Sequence, residues 1–166
     1  MIIAHNIGIL KNPNYNTREQ ILNSQGDLTF DGIYRNVWEN KDILQEVLKT
    51  RRVILFVMGG FTGGNNKFDF TMPYEPLADW NQIMDLAYMG CEIGWHTWTH
   101  PNLTSLKSTK EIIREVTPPF PMRTFAYPYG NFTPEIIEAV KAAGFSEAYS
   151  VSVGDNSPYQ KTRIFI

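Results

Sequence analysis

Apolar residues fall along this chain in short blocks separated by longer segments of helical period. The blocks IIA (2–4), LTF (28–30), VILFVM (53–58), EIGW (92–95), TFAY (124–127), AYSVSV (148–153) and RIFI (163–166) are of strand length. Between them, Ile43, Leu44, Val47 and Leu48 share one helical face. Trp80, Ile83, Met84, Ala87 and Tyr88 share a longer one that Gly90 closes. Ser108 and Glu111 have capping-box spacing ahead of Ile112, Ile113 and Val116. Thr133 and Pro134 open a helix carrying Ile136, Ile137 and Val140, which Gly144 ends. Strands alternating with helices predict a parallel sheet covered by helices, either a barrel or a doubly wound sheet, with residues 1–166 forming one domain.

Both architectures gather chemistry at the carboxyl ends of their strands. His5 follows IIA, Asp31 follows LTF, and His96 follows EIGW. Tyr129 lies just beyond TFAY and Asp155 just beyond AYSVSV. All three histidines of the chain and Asp31 are thus predicted at or near one rim.

Bulk composition narrows the function classes. The 166 residues are 43% hydrophobic and 19% charged, the balance of a soluble globular protein. Net charge is −2 and the basic residues form no run longer than Arg51-Arg52, so no electrostatic footprint for nucleic acid is present. No apolar stretch approaches the roughly 20 residues of a membrane span. MIIAHNIG lacks the features of a secretory leader, and Cys91 is the single cysteine, so a cytoplasmic location is expected. Aromatics reach 13%. Most fill the core, while Trp95, Trp98 and Tyr127, together with Asp155, are the candidates for contact with a ligand such as a sugar.

Three stretches carry candidate chemistry. In GWHTWTH (94–100), imidazoles four apart can meet one metal ion if the chain between them turns, and Pro101 favours a loop turn over a long helix. In LTFDGIYRNVWEN (28–40), Asp31 precedes Gly32 where the chain turns, either as a presented carboxylate or as a helix cap. In FAYPYGNF (125–132), Tyr127-Pro128-Tyr129-Gly130 makes a rigid turn able to aim a backbone N–H at a reacting oxygen. MGGFTGGNN (58–66) is glycine-rich without a phosphate-binding signature and reads as a flexible rim loop.

In this order, TFDGIYRNVWEN, EIGWHTWTHPNLTSL and FAYPYGNF…AVKAAGF resemble the three motifs of the polysaccharide deacetylase family, the NodB-homology carbohydrate esterases. The resemblance spans nearly the whole chain. It implies a distorted, incomplete (β/α) barrel of about seven strands, a divalent metal (zinc, or else cobalt or nickel) and hydrolysis of N- or O-linked acetyl groups on a saccharide. By that likeness His96 and His100 are metal ligands, Asp31 is the catalytic base, and the Tyr129 backbone N–H helps hold the oxyanion. The family's second aspartate, a third metal ligand, falls at Gly32, and its motif-three arginine falls at Ala126. The late Leu-x-His segment is absent, leaving His5 to protonate the leaving group. Two other readings follow from these departures. One is an inactive deacetylase-like barrel that binds a saccharide. In the other, Asp31 is the third ligand and Asp155 or Glu92 supplies the base. A barrel this short is also expected to expose strand edges and to form a homo-oligomer.

Overall fold

The computed structural model describes residues 2–4, 6–7, 15–67, 74–151 and 154–165. Seven strands run parallel and close on themselves: β1 (Ile2–Ala4), β2 (Leu28–Asp31), β3 (Val53–Val57), β4 (Glu92–Trp95), β5 (Thr124–Ala126), β6 (Glu147–Val151) and β7 (Lys161–Phe165). Every apolar block read from the sequence overlaps one of these strands. The ring is sealed where β1 pairs with β7 in the register Ile2 to Ile164. The barrel has the expected seven strands and is closed, so its own strands leave none of the exposed edges on which the oligomer expectation rested. A separate parallel pair joins Asn6–Ile7 to Tyr15–Asn16.

The strand sequences explain the layers. Val53–Val57 is buried at every position, because one face looks into the barrel and the other meets the helices. Ile54 and Phe56 point inward, where they form a small cluster with Ala126 and Tyr149. Val53, Leu55 and Val57 join the larger outer core, together with Leu28 and Phe30 from β2. The period-two alternation thus separates two apolar layers on one strand.

Among the described residues six α-helices supply the outer coat: α1 (Arg18–Asn23), α2 (Arg35–Glu39), α3 (Lys41–Leu48), α4 (Trp80–Tyr88), α5 (Thr109–Val116) and α6 (Pro134–Ala142). The Ser108–Glu111 capping box and the Thr133 cap form as the spacing predicts. Two helices, α1 and α2, escape the sequence pattern because each is one turn or so long and buries a single apolar side chain, Ile21 or Val37. On α4 the inward face is Ile83 and Leu86, whereas Met84 and Tyr88 are exposed. The apolar stripe read from sequence is therefore rotated, since exposed aromatics and methionines mimic a core face. Among the described residues no helix is long and apolar enough to cross a membrane.

Because all seven strands are parallel, their carboxyl ends form one rim. Asp31 and Trp95 terminate β2 and β4, and Ala126 terminates β5.

Candidate active site

On β2, Leu28 and Phe30 face the outer core, so alternation turns Thr29 and Asp31 inward. The carboxylate of Asp31 meets a guanidinium from the last strand. Arg163 Nη1 donates to Oδ1 at 2.6 Å and Nη2 donates to Oδ2 at 2.8 Å. The same guanidinium donates to Thr29 Oγ1 at 3.2 Å, and it lies 5.2 Å above the Phe56 ring. Arg163 has no solvent exposure, and Asp31 keeps 11% of its side chain exposed. A two-point clamp of this kind fixes carboxylate orientation as well as position, and each oxygen keeps a further lone pair facing away from the arginine. Asp31 is not a helix cap: the residue capping α2 is Tyr34.

His96 stands just beyond β4, its backbone N–H bonded to Val57 O at 2.9 Å. The ring is buried, and Nδ1 lies 2.7 Å from the carbonyl of Ala126. A carbonyl only accepts, so Nδ1 carries a proton and Nε2 is the nitrogen turned toward His100 and Asp31. That Nε2 is 3.2 Å from His100 Nε2 and 3.9 Å from Asp31 Oδ2. Two nitrogens bound to one tetrahedral zinc at about 2.0–2.1 Å stand about 3.3 Å apart, so the observed spacing fits a shared divalent ion. The backbone carbonyl that fixes the His96 tautomer is the outer contact such a ligand normally has. As a third ligand Asp31 would use the lone pair of Oδ2 that Arg163 does not engage, from 3.9 Å away from His96 Nε2. Among the described residues no group of three or more His, Cys, Asp or Glu side chains is arranged to hold a metal ion.

The turn between the imidazoles is not helical. Thr97 and His100 both have left-handed backbones, with φ of 70° and 54°. The His100 N–H is tied to Thr97 Oγ1 at 3.0 Å. From below, Gly59 N donates to Thr97 O at 3.1 Å and Gly60 N to Trp98 O at 2.9 Å. A β-carbon on Gly59 would sit 2.3 Å from Trp95, and one on Gly60 2.7 Å from the Trp98 carbonyl. These glycines are the packed floor of the histidine turn, not the flexible rim loop expected from composition. Glycine is used here for close approach.

Tyr129 is also left-handed, with φ 59° and ψ 7°, in the 3-10 turn Pro128–Gly130. Its ring centroid is 4.9 Å from that of His100 and is 62% exposed, so Tyr129 closes one side of the histidine pair. Trp95 and Tyr127 are enclosed and offer no face to a ligand. Trp95 Nε1 donates to Glu115 O, and the Tyr127 hydroxyl donates to Tyr159 O, each at 3.0 Å. Trp98 is partly buried, edge-on to Trp95, with Nε1 donating to Thr117 O at 2.9 Å. Asp155 is exposed and accepts from Ser157 N in its own turn. Glu92 begins β4 at the opposite end of the barrel, paired with Arg52 at 2.7 Å, so it is not placed to act as a base at this rim. His5 lies outside the described residues.

Gly32, the position to which the resemblance assigns a second aspartate, has φ +70° and donates its N–H to Phe56 O. A β-carbon there would stand 2.5 Å from the Met58 methyl group. The methionine thus fills the space into which a side chain from position 32 would grow. Sequence reasoning passed over two residues at the site, Arg163 and Glu115. The available signal for the first was a lone cation inside the apolar block RIFI.

A family profile described as polysaccharide deacetylase matches residues 26–148. No curated protein sequence matches the chain. The fold is similar to IcaB from Ammonifex degensii, with TM-score 0.74 and 17% identity over 99% of this chain and 90% of that one. It is similar to the Streptococcus pyogenes deacetylase PplD, solved in complex with acetate, with TM-score 0.76, 15% identity and coverage of 99% and 90%. BC0361, a polysaccharide deacetylase from Bacillus cereus, superposes with TM-score 0.74 at 13% identity over 99% of this chain and 63% of that one. At such identities the structural likeness establishes the fold alone.

Proposed function

The chain belongs to the polysaccharide deacetylase family, and from that premise we propose that it is a metal-dependent hydrolase removing N- or O-linked acetyl groups from a sugar or polysaccharide. The observation that carries the reading is the convergence of His96 Nε2 and His100 Nε2 to 3.2 Å beside a clamped Asp31. His96 and His100 would hold a divalent ion, zinc or else cobalt or nickel, which when bound would polarise the acetyl carbonyl and activate water. Asp31, oriented by Arg163, takes the proton from the attacking water. The backbone N–H of Tyr129, aimed by its left-handed turn, donates to the oxyanion. Its exposed ring offers an apolar face to the saccharide. Protonation of the leaving group is assigned to His5 on sequence grounds.

One further reading is favoured by a specific observation. Gly32 offers no side chain where the resemblance expects a third ligand, and the Met58 methyl group fills the space beside it, which supports a barrel that binds a saccharide without hydrolysing it. Two measurements separate the readings. Elemental mass spectrometry on protein purified without chelator, compared with His96→Ala, reads the ion; acetate release from acetylated chitooligosaccharides and xylan with added zinc or cobalt reads the reaction. Metal lost in His96→Ala together with acetate release supports the hydrolase. Neither metal nor acetate in the wild type would overturn it in favour of the binding barrel.

A further inference from the structure

Glu115 on α5 is a charged side chain that the proposed chemistry does not use, yet it is 1% exposed. A buried carboxylate is tolerated only when its lone pairs are engaged. Here the histidine turn engages them. Oε2 accepts from Trp98 N at 3.0 Å and Thr99 N at 2.9 Å. Oε1 accepts from Thr99 Oγ1 at 3.1 Å and from Arg114 Nη2 at 3.1 Å. Arg114 is itself 73% exposed, so the screened ion pair is the weaker part of the arrangement. Through its carbonyl, Glu115 also accepts from Trp95 Nε1. One helical residue therefore grips the chain immediately before His96 and again immediately before His100.

The two left-handed residues, Thr97 and His100, make this grip consequential. Non-glycine residues in that region persist only where surroundings over-determine them. His96 is anchored by Ala126 O; the His100 ring packs against Tyr129, and its backbone is held by Thr97 Oγ1 and by the segment that Glu115 clasps. We propose that Glu115 is a positioning residue that sets the His100 imidazole against His96; the inference rests on the two-histidine reading of the site.

The test is Co2+ titration, followed by visible absorption, with 15N shifts of the histidine rings recorded on metal-free protein. Glu115→Met keeps the chain length but removes every acceptor, and Glu115→Asp keeps the charge but falls one methylene short. Both are expected to weaken Co2+ binding about 10- to 100-fold, the usual effect of losing an outer-shell partner. The His100 ring signals should move in both variants while those of His96 stay in place. Glu115→Gln, which retains an acceptor for the two backbone N–H groups, should bind nearly as wild type does. Val116→Ala, a cavity in the same helix away from the turn, should lower the melting temperature and alter neither readout. Unchanged affinity and unchanged His100 signals in Glu115→Asp would overturn the proposal, even where Glu115→Met fails to fold. If the wild type takes up no Co2+, the metal reading falls by itself and the ring shifts alone decide whether Glu115 positions His100.

Discussion

Replacing Arg163 by methionine removes the cation of a buried pair while keeping most of the apolar volume. Asp31 is then left at the barrel mouth with both oxygens unpaired by Arg163, and Thr29 Oγ1 and the Ser150 carbonyl each lose a donor. Removing one partner of a buried ion pair costs about 3–5 kcal/mol. Asp31 retains 11% exposure, so partial hydration places the expected loss near the lower bound, about 3 kcal/mol. For a chain of this size that corresponds to a fall in Tm of about 6–12 °C. The assay is urea unfolding followed by circular dichroism, with the slope checked for constancy so that midpoints translate into stability. Asp31→Asn combined with Arg163→Met removes both charges of the pair and should recover much of the loss, giving a coupling of about 2 kcal/mol in the double-mutant cycle. On the proposed mechanism acetate release should be abolished in that double variant, which separates the proposed role of Asp31 as base from its role in stability. An Arg163→Met protein that loses less than about 1 kcal/mol, or a double variant no more stable than it, would refute the clamp as a buried, mutually dependent pair.

Other outcomes follow from particular contacts. Gly32→Asp should not restore a stronger metal site: the positive φ costs about 1–2 kcal/mol and the new β-carbon meets the Met58 methyl, so Tm falls and metal content measured by elemental mass spectrometry does not rise. Adding Met58→Ala should relieve the overlap part of that loss. Cys91 is buried and its thiol is pushed up to about 12, so Ellman's reagent at pH 8 should find no reactive thiol until denaturant is added, and one thereafter. For Glu147, burial alone would raise the carboxyl, but hydrogen bonds from the Tyr149 hydroxyl and the Lys161 ammonium outweigh it and hold it below the ordinary value. A depressed carboxyl stabilises the fold above the unfolded value and ceases to do so as pH falls through the folded one. The urea midpoint should therefore drop on acidification past the ordinary glutamate range, and Glu147→Gln should flatten that part of the profile. A profile unchanged by Glu147→Gln would show that other carboxylates carry the acid response.

Much of the site was legible because it depends on local order. Each of the seven apolar blocks is long enough and bounded clearly enough to be a strand, and a parallel ring sends every strand's last residue to one rim. Asp31 and His96 could thus be placed from their positions after LTF and EIGW. The four-residue separation of His96 and His100 permitted a shared ion, and the two rings do converge. The features that escaped depend on partners far along the chain. Arg163 reaches Asp31 across 132 residues, and only the closure of β7 against β1 brings them face to face. Glu115 appears in sequence as one more polar position on an amphipathic helix; its carboxylate turns inward because α5 packs where the histidine turn presents two backbone N–H groups. The aromatics divide in the same way. Nothing in composition separates Trp95 and Tyr127, enclosed by the helical coat, from Tyr129, which a left-handed turn pushes to the surface beside His100. Alternation and spacing are properties of neighbouring residues and so can be read directly. Which buried charge meets which partner is decided by barrel closure and packing, because the cost of leaving a charge unpaired is assessed only in the assembled interior.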